Sequence, residues 1–375
     1  MPEAREVFRS EALLVRQVGN FGSTSCVVTF DSFTDNCTLD RPGFGEHFLA
    51  HRAIDAFHVI SRDNIWYQHP EMPAAMGAVH AATRGYARVV TYGSSMGAYG
   101  AIRFAGWVGA DCALACSPQF SIDPAVVPFE YRWEEPARAF LDMWEGQVPL
   151  PALRDAYVAF DPEDLDAKHI ALFEQAFRFT PVRLPGAGHP VTGFLHEVQL
   201  LDRLVMAVIR GDCQADVAEL IDEAWSRRER SAQYLCQCAS REWRRSRKIA
   251  LLVKAVALSQ GHGDVRAMLA TQLALAGRLD EAVAAFELAL AKEPEHPNVL
   301  LHYSKTMERQ GDIAQAFALT ERALAQSGNL AFYGPRIEFL RRHIGTTPRR
   351  RWRSVLGTFV GRAIDVKKIR LWGQG

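Results

Sequence analysis

Residues 88–105 read RVVTYGSSMGAYGAIRFA, and this stretch decides the fold of the first half of the chain. It begins with a β-branched apolar run, breaks at GSSMG and continues with the small residues of a packed helix. The break places Ser95 between Gly93 and Gly97, which lack a Cβ and so relieve the crowding around a serine on a tight turn. A turn of this kind lifts the Ser95 hydroxyl clear of a sheet and predicts a nucleophile.

A strand, a G-x-S-x-G turn and a helix in this order resemble the nucleophile elbow of the α/β-hydrolase family. Buried runs at 26–30, 56–60 and 111–116 alternate with helical segments. That alternation is typical of a parallel sheet covered on both faces, so we expect an α/β-hydrolase fold with a mostly parallel sheet. The alternatives are a plain strand-to-helix turn and an elbow whose serine is no longer catalytic.

The resemblance implies a triad in the chain order serine, acid, histidine. His189 lies in a glycine-containing loop directly after the last expected strand, so we expect it to be the base. The acid should follow the strand at 156–160, where three aspartates occur. Asp161 ends that strand and is our first choice, Asp164 is the second, and Asp166 suits a cap of the next helix. The strand lacks the glycine that often precedes the acid in this family, so the three stay open.

The resemblance also implies two backbone donors for an oxyanion. The first is the N–H of Met96, which lies at the N-terminus of the helix after the nucleophile. The second should come from the loop after strand 26–30, where Ser32 and Phe33 are the candidates and Phe33 is preferred. The chemistry implied is acyl transfer through an acyl-enzyme, which needs no metal and no cofactor.

Residues 122–154 interrupt the alternation of strands and helices with prolines and aromatic side chains. In this family an insertion at this place is commonly a lid, and the alternative is an ordinary pair of connecting helices. An aromatic lid would suit an apolar acyl or aryl group. After the last strand we expect one long amphipathic helix from about Val191 to Ile209, and an end to the hydrolase-like domain at residue 211.

The second half, expected as a helical domain over 212–345, contains two segments that repeat at a spacing of 34 residues. Small and apolar residues recur in register, namely Gly277, Ala282, Ala289 and Leu290 with Gly311, Ala316, Ala323 and Leu324. They resemble tetratricopeptide repeats over about residues 263–330. The resemblance implies stacked helix pairs that recruit a protein partner or a macromolecular substrate. The second copy departs from the pattern, because Thr320 replaces Phe286 and Gly328 replaces Pro294.

The overall charge excludes some classes of partner. The 43 basic and 43 acidic residues cancel, which argues against a general nucleic-acid-binding surface. The seven cysteines have neither the pattern of a disulfide framework nor that of a zinc site. With no signal-like start and no run of membrane-spanning length, we expect a cytoplasmic protein.

The last segment, 346–375, is basic and contains RRRWR at 349–353. One interpretation is a solvated tail. The other is a basic amphipathic helix that binds an anionic membrane surface or an acidic partner.

Three functions are compatible with these patterns. The first is a serine hydrolase that cleaves a carboxylic ester or thioester, with the repeats recruiting a partner or substrate. The second is an acyltransferase with the same triad, and the third is a non-catalytic binding protein that keeps the hydrolase fold as a scaffold. We further expect residues 1–211 to contain every element that the chemistry needs.

Overall fold

The computed structural model describes residues 4–344 except 35, 139, 147–149, 151–152, 212 and 329. The basic segment 346–375 therefore lies outside the described residues, and its binding to a membrane or an acidic partner stays a prediction. None of the described helices has the length and apolar character that crossing a lipid bilayer requires.

One sheet of eight strands organises the first half of the chain. The strands are β1 Ala4–Arg9, β2 Leu13–Val18, β3 Ser25–Phe30, β4 Asp55–Ser61, β5 Arg88–Ser94, β6 Cys112–Cys116, β7 Asp155–Phe160 and β8 Thr180–Arg183. Their spatial order is β1-β2-β4-β3-β5-β6-β7-β8. The pairs β1/β2 and β2/β4 are antiparallel, and every pair from β4/β3 to β7/β8 is parallel. The predicted fold class, an α/β-hydrolase fold with a mostly parallel sheet followed by helices, is confirmed.

Helices cover both faces of this sheet, which is why its central strands are almost entirely buried and mostly apolar. The helices of this half are α1 Glu46–His51, α2 Met72–Thr83, α3 Met96–Arg103, α4 Glu134–Arg138, α5 Asp166–Ala176, α6 Val191–Glu197 and α7 Leu201–Arg210. Side chains of α2 and α3 fill the core on one face, and those of α6 and α7 fill the core on the other. The carboxyl end of β5 therefore opens between the two helical layers.

The prediction of a single helix from Val191 to Ile209 is wrong, because the structure has two helices there. Residues 198–200 separate α6 from α7, and Gln199 adopts a left-handed backbone with φ 62°. The Leu200 N–H donates to the Leu195 carbonyl at 2.8 Å, which closes the turn. Both helices present apolar residues to the same core, so periodicity alone did not reveal the break.

The insertion at 122–154 contains one short described helix, α4, rather than a pair. Ile122 and Val127 are buried, and the rings of Trp133 and Trp144 pack on the body of the protein. The segment thus lies against the sheet domain. Its role as a lid stays a prediction.

The second half is all-helical in its described residues. The helices are α8 Cys213–Arg227, α9 Ala232–Arg241, α10 Arg245–Leu258, α11 Gly263–Leu275, α12 Leu279–Lys292, α13 Pro297–Arg309, α14 Ile313–Ser327 and α15 Leu330–His343. Val217, Leu220 and Ala224 of α8 lie in the same core as α7. The domain boundary at 211/212 stays a prediction.

The two repeat copies differ at the buried position of Phe286 and Thr320, and the structure shows how each side chain is packed or hydrogen-bonded. Phe286 stacks on Tyr303, with ring centroids 4.6 Å apart. Thr320, its counterpart, is fully buried, and its hydroxyl lies 2.8 Å from Ser304 Oγ and donates to the Ala316 carbonyl. A hydroxyl that finds partners avoids the cost of an unpaired buried polar group, so the helix pair tolerates the exchange.

Candidate active site

Ser95 lies on the turn that joins β5 to α3. Its backbone has φ 54° and ψ −121°, an unfavourable region for a residue with a side chain. The turn is held because the Ser95 N–H donates to the Cys116 carbonyl at 2.8 Å. The residue after Ser95 already belongs to the helix, so the serine side chain projects at the edge of the sheet, as an elbow requires.

Gly93 and Gly97 are required by close backbone approach. A Cβ on Gly93 would overlap the Gly97 carbonyl, and a Cβ on Gly97 would overlap the carbonyl oxygen of Phe30 in β3. Both obstacles are main-chain atoms, which cannot rotate away. The spacing of the two glycines around Ser95 therefore follows from the contact between α3, β5 and β3.

Gly97→Val should prevent folding or cost more than about 4 kcal/mol of stability, since the branched side chain would have to push β3 away from α3. The matched control is Gly77→Val in α2, where a Cβ meets nothing within 4 Å. Solubility and thermal unfolding of the two variants measure the difference. A Gly97→Val protein as stable as Gly77→Val would contradict the close approach.

His189 lies in the loop after β8, and the structure brings it to the serine. Its Nε2 atom is 2.9 Å from Ser95 Oγ, although 94 residues separate the two in sequence. Ser95 is only 5 % exposed to solvent, and the His189 side chain is 14 % exposed. The distance suits a serine hydroxyl that donates to an unprotonated Nε2.

The carboxylate on the other side of the imidazole belongs to Asp166. Asp166 Oδ2 lies 2.8 Å from His189 Nδ1, and the carboxylate is fully buried at the start of α5. Asp161, our first choice, does not make this contact. Its oxygens instead accept from the N–H groups of Gly186 and Gly188, at 3.0 and 2.8 Å.

The reason for this difference is the turn that follows β7. Asp161 accepts from the Glu163 N–H at 2.9 Å and starts the turn, and Asp164 accepts from the Asp166 N–H at 3.2 Å. Asp164 thus accepts a hydrogen bond at the N-terminus of α5, which is the capping role expected for Asp166. This arrangement carries Asp166 beyond the strand end to the imidazole, where the α5 N-terminus also favours a negative charge.

Arg132 of the insertion ties this carboxylate to the rest of the site. Its guanidinium donates to Asp166 Oδ1 at 2.8 Å, to Asp164 at 3.1 Å and to Glu130 at 2.6 Å. Burial alone would raise the pKa of Asp166, but the hydrogen bond from His189 and the charge of Arg132 hold that pKa below its usual range. The carboxylate facing the imidazole is therefore ionised at neutral pH.

Glu130 extends the network to a second buried histidine. Its carboxylate is 2.9 Å from His169 Nε2, and the Phe120 N–H donates to His169 Nδ1. Burial would raise the pKa of Glu130, but His169 and Arg132 lower it to about 2. Glu130 belongs to the insertion and His169 to α5, so this contact anchors the insertion to the sheet domain.

The two expected oxyanion donors flank the serine turn. Met96 is the first residue of α3, and the first N–H groups of a helix have no acceptor within it. On the other side, the Ser32 hydroxyl donates to the Ser94 carbonyl at 2.8 Å and ties the loop after β3 to the elbow. Phe33 follows in that loop. Donation to an oxyanion by Met96 and Phe33 stays a prediction.

Aromatic rings cover the imidazole. The Trp133 ring lies 6.0 Å from the His189 ring, and it packs on Trp66 at 5.3 Å and on Phe33 at 5.4 Å. Trp66 is fully buried, whereas Phe33 is partly exposed. Trp133 of the insertion, Phe33 of the loop after β3 and Trp66 of the loop after β4 together form an apolar wall beside the imidazole.

Sequence reasoning missed Arg132 and Trp133 as parts of this site. Both lie in the insertion, where neither periodicity nor a motif marks a position. The only signal was compositional, a single arginine between Tyr131 and Trp133 in an aromatic stretch. A buried carboxylate needs a cation or hydrogen bonds, but nothing in the sequence says which cation approaches Asp166.

Comparison with known proteins gives one family match and several solved structures. A family model for the tetratricopeptide repeat matches residues 273–332, and no curated protein matches the chain. An esterase of Pyrococcus furiosus is 15 % identical, over 56 % of this chain and 92 % of its own, with a TM-score of 0.38. A capsule O-acetyltransferase of Neisseria meningitidis serogroup A is 10 % identical, over 55 % and 94 %, with a TM-score of 0.41. MamA is 20 % identical, over 36 % and 81 %, with a TM-score of 0.25.

At these scores the solved structures carry no information about what this protein acts on. The repeat match does agree with the helix pairs of the second half. The chain thus combines a sheet domain of α/β-hydrolase type with a tetratricopeptide repeat segment.

Proposed function

We propose that this protein is a serine hydrolase that cleaves a carboxylic ester or thioester with Ser95, His189 and Asp166. Residues 1–211 are the catalytic unit, and the helices after it recruit a partner or substrate. The observation that carries the proposal is the continuous chain of contacts from Ser95 Oγ to His189 at 2.9 Å and from His189 to Asp166 at 2.8 Å. A structural serine would have no need of a histidine and a buried carboxylate in this order.

The first step follows from these distances. His189 Nε2 takes the hydroxyl proton as Ser95 Oγ attacks the carbonyl carbon, and the ionised Asp166 stabilises the imidazolium through Nδ1–H. The N–H groups of Met96 and Phe33 donate to the oxyanion that develops on the carbonyl oxygen. The imidazolium then gives its proton to the leaving alcohol or thiol. Water, activated by the same imidazole, hydrolyses the acyl-enzyme.

The apolar wall favours a substrate with an apolar acyl or aryl group. Trp133, Trp66 and Phe33 lie beside the imidazole, where a group attached to the reacting carbonyl would contact them. Burial of such a group against aromatic rings contributes binding energy in proportion to the apolar area removed from water.

A fluorophosphonate probe tests the proposal. The full-length protein should form a covalent adduct that peptide mass spectrometry maps to Ser95, and the protein should hydrolyse short p-nitrophenyl esters. A screen of acyl-chain lengths then identifies the acyl group. A folded protein with no adduct on Ser95 and no esterase activity would overturn the proposal in favour of a non-catalytic scaffold.

Acyl transfer to an alcohol is the alternative reaction, because the same triad and acyl-enzyme would serve it with an acceptor hydroxyl in place of water. Product analysis with added acceptor alcohols separates the two reactions. An ester of the acceptor as the main product would identify a transferase.

A further inference from the structure

Helix α9 of the second half lies directly on the loop that carries the histidine. The side-chain amide of Gln233 donates to the carbonyl of Ala187 at 2.6 Å and to the carbonyl of Pro190 at 2.9 Å. These two carbonyls are on either side of His189. A glutamine amide has two N–H donors, so both are used to hold this one segment of backbone.

The glycines of the loop are where α9 approaches most closely. Gly186 and Gly188 have φ 76° and 68°, which a residue with a side chain rarely adopts. A Cβ on Gly186 would lie 2.6 Å from the Tyr234 ring, and one on Gly188 would overlap the Gln237 side chain. The loop therefore needs its glycines both for its own turns and to admit α9.

Both ends of α9 are attached to the catalytic unit. At its N-terminus the Glu197 carboxylate of α6 accepts from the Gln233 N–H at 3.0 Å. At its C-terminus Arg241 forms an ion pair with Glu163 and lies 3.5 Å from the buried carboxylate of Asp161. One helix thus spans the histidine loop and the loop after β7.

We propose that Gln233 is a positioning residue for His189, so that the helical half takes part in building the active site. The inference rests on the proposed function. Two glycines give the loop backbone freedom, and the paired donation from Gln233 removes it on either side of the histidine. An error of about 1 Å in such a contact costs on the order of 100-fold in rate. Residues 1–211 contain Ser95, Asp166 and His189 but not Gln233, so this proposal is an alternative to the expectation that they contain every element that the chemistry needs.

Two variants of Gln233 test the role of its amide in the full-length protein. Gln233→Ala removes the donors, and Gln233→Glu keeps the size but presents a carboxylate to two carbonyl oxygens. We expect kcat and the rate of fluorophosphonate labelling to fall about 10- to 100-fold in Gln233→Ala, with KM within about twofold of wild type. Gln233→Glu should be at least as impaired at neutral pH, and its rate relative to wild type should rise in acid as the carboxyl gains a proton.

Gln272→Ala in α11 is the matched control, because it removes the same side chain from the helical half at a distance from the loop. It should leave kcat unchanged. A wild-type kcat in Gln233→Glu would overturn the inference, because the volume of the side chain alone would then be enough to position His189. An equal loss in Gln272→Ala would also overturn it, because the effect would be general destabilisation.

Backbone amide hydrogen exchange separates this inference from the proposed function. The N–H groups of Gly186 and Gly188 donate to Asp161, and these bonds open more often when Gln233 no longer holds the loop. Their amides should therefore exchange at least 10-fold faster in Gln233→Ala than in wild type, and Gln272→Ala should not change their exchange. If the wild type neither labels nor hydrolyses esters but exchange changes as expected, the function fails and the positioning stands. If the wild type is active and both exchange and kcat are unchanged in Gln233→Ala, the positioning fails and the function stands.

Discussion

Replacement of Ser95 by alanine should lower kcat for ester hydrolysis by at least ~10³-fold and abolish fluorophosphonate labelling. The hydroxyl oxygen of Ser95 is the atom that would attack the carbonyl. His189 Nε2 lies 2.9 Å from this oxygen and is the group that accepts its proton in the proposed mechanism. Without Oγ the acyl-enzyme cannot form. Residual turnover would come from substrate binding and the oxyanion donors alone.

The same variant should unfold at nearly the wild-type temperature. The turn is held by the Ser95 N–H, which donates to the Cys116 carbonyl and remains in alanine. Alanine at φ 54° is as strained as serine, so we expect a change within about 1 kcal/mol. Thermal unfolding followed by circular dichroism measures this.

Ser94→Ala is the matched control, because Ser94 is the neighbouring serine and its Oγ contacts Thr192 Oγ1 at 3.1 Å instead of the histidine. It should keep most of the activity and the label. Full esterase activity in Ser95→Ala, or loss of labelling in Ser94→Ala alone, would contradict the assignment of the nucleophile.

Asp166→Asn should lower kcat by about 10³- to 10⁴-fold, and the contacts of Arg132 explain why. The guanidinium donates to Asp166 Oδ1, so an asparagine must direct its oxygen there. Its NH₂ group then faces His189 Nδ1 and donates to it. The imidazole is left in the tautomer with its proton on Nε2, which cannot accept the proton of Ser95.

Asp161→Asn and Asp164→Asn are the comparisons that locate the acid. Asp161 holds the backbone of Gly186 and Gly188, so its variant should lose stability and a moderate part of kcat. Asp164→Asn should have a small effect on kcat, since this residue contacts neither the serine nor the imidazole ring. Steady-state kinetics with one ester compares all three. A larger loss of kcat in Asp161→Asn than in Asp166→Asn would contradict the role of Asp166.

The elbow was predictable because its causes are local in sequence. A serine on a tight strand-to-helix turn needs glycines two residues away on each side, and Gly93 and Gly97 are found there. The alternation of strands and helices likewise predicted the parallel sheet. His189 could be chosen because chain order and a position after the last strand depend on the topology alone.

The acid could not be chosen in this way. Asp161, Asp164 and Asp166 lie within six residues, and all follow the same strand. Which of them contacts the imidazole depends on the path of one turn, and a shift of a few residues there moves a carboxylate by several ångströms. Two of the three bind backbone N–H groups and build that path, and the third reaches the histidine.

The sequence by itself determined the strand-to-helix turn at Ser95, the fold class and the repeat segment, because each depends on spacings of residues that are near one another in the chain. Only the tertiary structure decided that Arg132 pairs with Asp166, that Trp133 covers His189 and that Gln233 holds the histidine loop. These contacts join segments 34, 56 and more than 40 residues apart. No periodicity or motif links such positions, since their meeting depends on how the insertion and α9 pack on the finished sheet domain.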